Sequence, residues 1–359
     1  MRLMVVMVLG ALLAAASWWQ GGTAGVVAAQ SKVPAGIGHT GSAFRFNKVR
    51  EGVYHVVGTG ALTVVGNGAV IVNDNDVVIV DDHVSPAASY VLLQEVKQLT
   101  NKPIRHVINT HFHFDHAHGN QVFGPGVDII GHEFTRQMLT DNRSVNMPLF
   151  QNYLKGLPDA VADLRARTAA AKDPAAKAKL QVQLTSAENN LASQKEFRPV
   201  PPNVTLKDQM TLFSGSREIQ IRFLGRAHTA GDVVVFLPRE KVVITGDFMT
   251  AALSNMSDGF VDEWVDTLEN LKKLDFEVVL PGHGEAFTDR RKIDYFQAYL
   301  RDVWTEMGRL KREGVPVEEA AKRVDLTKHR EHFPGIQGPG IPLVGAQRIY
   351  DMMDAAARR

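Results

Sequence analysis

Cysteine is absent from all 359 residues. That one absence excludes disulfides, thiolate metal ligands and a lipid-bearing cysteine together, so any strong metal site in this chain must be built from histidine and carboxylate. An excess of either charge is missing too. With 40 Lys+Arg against 39 Asp+Glu, nothing marks nucleic acid or another polyanion as a partner. The length allows one large domain with additions, or two.

The N-terminus reads as a targeting segment. Met1-Arg2 gives a short positive start, Leu3 to Ala16 an apolar run, and Val27-Ala28-Ala29 a small-residue site before Gln30. Residues 1–29 are therefore expected to be a cleaved signal peptide, which places the folded part in the periplasm or outside the cell. The competing reading is an uncleaved membrane anchor, since Trp18-Trp19 is an aromatic pair of the kind found at a bilayer interface. Residues 30–43 follow as an expected flexible leader.

From Phe44 the chain breaks into short β-type runs at 44–46, 53–57, 62–65, 69–72 and 77–80, the last apolar throughout as in a strand at the middle of a sheet. Ser85-Pro86 caps an amphipathic helix to about Leu99, and Ile104 to Ile108 is the next strand. Strand 127–130 and helix 133–139 continue the alternation, which residues 140–203 interrupt. There the alanine-, lysine- and glutamine-rich stretches 160–171 and 175–192 predict an inserted helical hairpin, a solvated decoration or else a lid or dimer contact. Strands at 212–213, 219–223, 233–237, 242–244 and 277–280 follow, with a helix at 264–273. Beyond residue 290 come helices at 295–312, 317–324 and 347–356, and His329 and His332 read as surface residues.

One stretch concentrates the chemistry: His111-Phe112-His113-Phe114-Asp115-His116, directly after strand 104–108. Side chains two apart on an extended segment share a face, so His111 and His113 lie together, and the following turn can bring Asp115 and His116 to the same point. One histidine after a strand needs no function. Three with an aspartate within six residues, and no polar filler around them, form a ligand set, and imidazole with carboxylate is what zinc takes besides thiolate. Three further strand ends carry His228, Asp247 in Thr245-Gly246-Asp247, and His283 in Pro281-Gly282-His283-Gly284, each weak evidence alone.

Taken in order, the run and these three contexts resemble the metallo-β-lactamase-fold superfamily over about residues 44–290. The resemblance implies an α/β four-layer αβ/βα sandwich, with 140–203 inserted and 291–359 as a C-terminal helical extension. It implies that His111, His113 and His228 hold one metal, that Asp115, His116 and His283 hold the second, and that Asp247 bridges them. Two Zn2+ are the expected cofactors, with iron or manganese as alternatives. Asp81, at the end of a strand, matches the superfamily's first aspartate and would accept a hydrogen bond that orients a ligand histidine; it is otherwise a turn residue.

The expected function is a secreted dinuclear zinc hydrolase that opens an ester, lactone, thioester or amide bond, β-lactams included, by attack of a metal-bound hydroxide, with Asp115 as its catalytic carboxylate. A bridging aspartate at 247 resembles glyoxalase II and lactonases, where zinc β-lactamases place cysteine or serine. A dedicated β-lactamase, an iron-dependent redox enzyme of the same fold and a non-catalytic zinc-binding interaction module are the alternatives. The expected partner is a small-molecule substrate, with no nucleic acid and no membrane beyond an uncleaved anchor. The inserted hairpin or the C-terminal helices would serve any homo-oligomer.

Overall fold

In the computed structural model that describes residues 32–358, two mixed sheets stack face to face. The expected signal peptide lies outside the described residues. The first sheet runs in chain order through β1 (Phe44–Arg50), β2 (Val53–Gly58), β3 (Gly68–Val72), β4 (Val77–Val80), β5 (Ile104–Ile108), β6 (Asp128–His132) and β7 (Val204–Leu206). Its first four strands pair antiparallel, and from β4 to β7 the pairing is parallel. The second sheet contains β8 (Gln209–Ser214), β9 (Arg217–Phe223), β10 (Val233–Leu237), β11 (Val242–Gly246) and β12 (Val278–Pro281), antiparallel except for β11 with β12.

Three cores define the layers. Between the sheets, Ile71, Val78, Val80 and Ile108 of the first meet Ile221, Val235, Ile244 and Leu280 of the second. Outside the first sheet, Val70, Ile79 and Val107 pack under α1 (Pro86–Val96). Outside the second, Val234, Phe236 and Val243 pack under α7 (Val261–Lys272) and α8 (Arg291–Arg312), with α9 (Val317–Arg323) and α10 (Leu343–Ala357) beyond. Strands β4, β10 and β11 are buried at every residue because both of their faces are covered. The expected helix–sheet–sheet–helix order is the order found.

Four expectations differ from the structure. Residues 62–65 form no strand: Leu62 and Val64 are buried in the outer core, so the alternation records burial without a hydrogen-bonded ladder. The hairpin's first helix, α5 (Pro148–Ala170), starts well before residue 160 and carries Pro158 inside it. Losing one backbone donor is tolerated because Phe150, Leu157 and Val161 are buried on its inner face. Residues 32–43 are tied down and not a loose leader. Ala35 N–H donates to Glu196 on the far side of α6 (Pro174–Gln194) at 2.9 Å, and the buried Glu95 carboxylate accepts from Ala43 at 2.7 Å and Phe44 at 3.1 Å. Finally, His329 is buried and bonded to Asp302 at 2.7 Å, an anchor for the C-terminal segment.

Candidate metal centre

The histidine run does not extend β5. The chain bends at residues 110–112 and then makes α2 (Phe114–Ala117), a single turn. The bend still brings the rings of His111 and His113 to 4.7 Å, and α2 aims Asp115 and His116 inward. From the second sheet, His228 comes off the loop between β9 and β10. That loop is shaped by Asp232, which accepts from the N–H and the hydroxyl of Thr229, each at 2.7 Å. Burial pushes the Asp232 carboxyl up to about 6. Asp247 and His283 follow the ends of β11 and β12, which lie side by side in parallel.

Close packing of backbone sets the last two. A Cβ on Gly282 would lie 2.3 Å from Asp247 Oδ1, and one on Gly246, at φ 51°, would lie 2.3 Å from Thr110 Oγ1. Only glycine permits the three strand ends to converge there. Asn67 N–H donates to the Gly282 carbonyl at 2.6 Å and its side chain to that of Gly284 at 2.7 Å, which pins the loop before β3 against the His283 turn.

All seven side chains expected at the site meet there. Three groups of ligand atoms each lie within 4.8 Å of one another: His111, His113 and His228; His111, His116 and Asp247; Asp115, His116 and His283. Asp247 stands between the all-histidine group and the mixed one. Its Oδ1 is 3.4 Å from His116 Nε2, and its Oδ2 is 3.2 Å from His283 Nε2 and 3.6 Å from His228 Nε2.

The outward nitrogen of each buried imidazole is held. His116 Nδ1–H donates to Asp81 at 2.8 Å, His228 Nδ1–H to the Asn255 carbonyl at 2.8 Å, and His113 Nε2–H to Asp258 at 2.9 Å. His111 Nδ1 lies 3.1 Å from the Thr110 hydroxyl, which itself donates to Asp81 at 2.8 Å. Asp81 thus accepts from both His116 and Thr110, at a left-handed φ of 60°. Asp258 was not expected: a single aspartate in an irregular loop carries no periodicity or motif.

Of the inward atoms, His228 Nε2 and His113 Nδ1 face each other at 2.9 Å and His283 Nε2 lies 3.1 Å from Asp115, while three others have no such partner. His111 Nε2, His116 Nε2 and Asp247 Oδ1 are buried without a hydrogen bond among the described residues. Buried polar atoms are ordinarily paired, so a convergent set left open fits cations, and a donor set of imidazole and carboxylate fits zinc. The charges agree. Burial lowers His111 well below the usual imidazole value and His228 to about 4, leaving both neutral and able to bind through nitrogen. Burial raises Asp115 and Asp247, but His116 and His283 outweigh it and hold both carboxylates well below their usual range. Burial likewise opposes charge on His283, yet Asp247 and Asp115 hold it up at about 10, as protons stand where positive charge is wanted.

Comparison with known proteins agrees with this geometry. The family described as "Metallo-beta-lactamase superfamily" matches residues 62–283, more than half of the chain. A linear primary-alkylsulfatase from Pseudomonas sp. is 24% identical over 254 residues, which is 66% of this chain and 46% of that protein. A type 2 metallo-beta-lactamase from Bacillus cereus is 31% identical over 87 residues, 23% of this chain and 34% of that one. The chain thus spans about half or less of the length of these relatives. A metallo-beta-lactamase structure from Pontibacter korlensis shares the fold, with a TM-score of 0.52 at 18% identity over 72% of this chain and 99% of that one.

Proposed function

The chain belongs to the metallo-β-lactamase superfamily, and from that premise we infer that it is a dinuclear zinc hydrolase of a small molecule. The observation that carries this reading is the position of Asp247, within 3.6 Å of ligand nitrogens on both sides of the centre. A carboxylate so placed fits a pair of cations sharing one ligand, as a one-metal site would not require. When bound, such a pair lowers the pKa of water toward neutrality and polarises the oxygen of the bond to be cleaved.

The chain's own groups then have separate tasks. Asp115, ionised at neutral pH, orients the attacking water and accepts its proton at a carboxylate oxygen. His283, with 38% of its side chain exposed, marks the open edge of the centre, while His111 and His116 are fully enclosed. Substrate therefore arrives from the His283 side. Asp81, Asn255 and Asp258 fix the rings of His116, His228 and His113 so that no ligand reorients as cations load.

The scissile bond we assign is an ester, lactone, thioester or amide. The match to an alkylsulfatase over 254 residues favours a second reading, the sulfate ester of an alkyl alcohol. Secretion is part of the proposal and rests on the N-terminal sequence; Edman sequencing of the protein from a periplasmic fraction, starting at Gln30, is the outcome it requires.

The test is a panel of lactone, thioester, alkyl sulfate, phosphodiester and cephalosporin substrates against the zinc-loaded chain, with metals counted by mass spectrometry. Two metals per chain and turnover of one ester-type substrate are expected. His116→Ala and Asp247→Ala should each lose a metal and most of the rate with the far-UV spectrum unchanged. Two metals and full rate in either variant would refute the ligand assignment, and iron in the active form would move the reading to redox chemistry.

A further inference from the structure

Behind His113, on the far side of Asp258, lie two adjoining cavities of about 390 and 410 Å3 that share Met147, Ser257, Asp258 and Arg348 as walls. They occupy the space between the start of α5, the loop 255–260 and α10. One wall is apolar, with Met147, Leu149 and Val344, the last 43% exposed at the mouth. The other carries guanidinium groups of three different standings. Arg226 is neutralised by Glu263, to which its Nε donates at 2.8 Å, and it covers one face of Phe260 at 4.2 Å.

Arg348 is held otherwise. Its Nε donates to the Gly259 carbonyl at 2.9 Å and its guanidinium lies over Phe260 at 4.6 Å. Asp258, the acid beside it, takes the bonds from His113 at 2.9 Å and from the Ser257 hydroxyl at 3.1 Å on one oxygen, Oδ2, and Asp351 also lines the first cavity. Among the described residues no carboxylate lies within ion-pairing distance of Arg348, nor of Arg143, which lines the same space from α4 (Arg143–Asn146). A positioned guanidinium with a free fork, opening on a hydrocarbon wall, is complementary to an oxyanion with an apolar tail, of which a fatty carboxylate is the simplest.

We propose that these cavities form a binding site for a small amphiphilic carboxylate, its acid group on Arg348 and Arg143 and its hydrocarbon against Met147, Leu149 and Val344. The site is separate from the metal centre, with Asp258 as the partition between them. It does not depend on the hydrolase reading.

Calorimetric titration of the full chain with octanoate tests it, with acetate and octan-1-ol as controls that lack the tail or the charge. The expected result is one octanoate per chain, with each control at least tenfold weaker, both in zinc-loaded protein and after chelation. Arg348→Gln should weaken octanoate at least tenfold. Because Arg348 also braces the 255–260 loop, Val344→Asp at the exposed mouth is the second variant. It leaves that brace in place and should repel the acid to a similar extent. Binding that vanishes on chelation would put octanoate on the metals and overturn the proposal. So would octan-1-ol binding as tightly as octanoate, indifference to both variants, or no binding at all. None of these results touches turnover, so the hydrolase reading stands or falls apart from this one.

Discussion

A neutral imidazole can be kept neutral by its surroundings alone, and His118 is the plainest instance in this chain. Its ring is stacked on Phe197 at 3.9 Å and meets Phe150 edge-on at 4.7 Å, and neither nitrogen has a partner among the described residues. Burial lowers it to about 3. Unfolded, it would bind a proton near its usual 6.5, so between those values the unfolded state holds more protons, and stability falls as pH drops below 6.5. By pH 4.5 the loss should reach about 2–3 kcal/mol from this residue. His118→Phe keeps the aromatic contacts and removes the proton. With both proteins stripped of metal, the variant's melting temperature should decline less than the parent's from pH 7 to 4.5, and parallel curves would contradict the assignment. Gly282→Ala acts through space in place of charge. Its Cβ would strike Asp247 Oδ1 at 2.3 Å and the His116 ring at 2.8 Å. Metal content should fall from two toward one per chain, while Gly335→Ala, where nothing lies within 4 Å of the new Cβ, should load fully.

At the scale of the element, the tie between residues 32–43 and the body of the fold rests on buried carboxylate. Glu95, on α1, accepts two backbone N–H groups where β1 begins. Glu95→Ala strands both donors in the interior and should cost about 2–3 kcal/mol, read by urea unfolding. Limited proteolysis should then cut within residues 32–43, where the parent resists; an unchanged digest would mean that the other contacts of this segment suffice. This tie was not legible in the sequence. A glutamate near the end of an amphipathic helix reads as solvated, and its partners are backbone groups 51 and 52 positions away. What was legible has a common physical origin. The ligands sit where strands end: the density of the run itself marked His111 to His116 after β5, and the mostly apolar β11 and β12 marked Asp247 and His283 at their ends. His228 needed its order in the chain. Asp258 lay in a loop whose shape depends on tertiary contacts such as Phe260 N–H on the Ala227 carbonyl, at 2.7 Å, and no local pattern encodes them. The start of α5 was misplaced because the reading followed the alanine-rich composition from residue 160, whereas packing carries the helix back through Pro158 to Pro148 at the cost of one hydrogen bond.

On the scale of the whole molecule, the centre is a joint between two halves. His111, His113, Asp115 and His116 descend from the first sheet, while His228, Asp247 and His283 descend from the second. Each of the three ligand groups takes at least one residue from either side. Between the sheets the core is a continuous apolar cluster, but at this end it gives way to buried nitrogen and oxygen atoms left open, which weaken the joint unless cations fill it. Loading should therefore bind the sheets together as well as arm the site. A cation held at a hundred times its dissociation constant adds about 2.7 kcal/mol to the folded state, and for a chain of this size that corresponds to an increase in melting temperature of about 4 °C for each cation. Scanning calorimetry of the zinc-loaded and chelated protein at pH 7.5 measures this directly. The increase should shrink in His228→Ala and Asp115→Ala alike, since each takes a ligand from a different sheet. Equal melting temperatures with and without bound metal would mean that the sandwich holds its two sheets together without help from the centre.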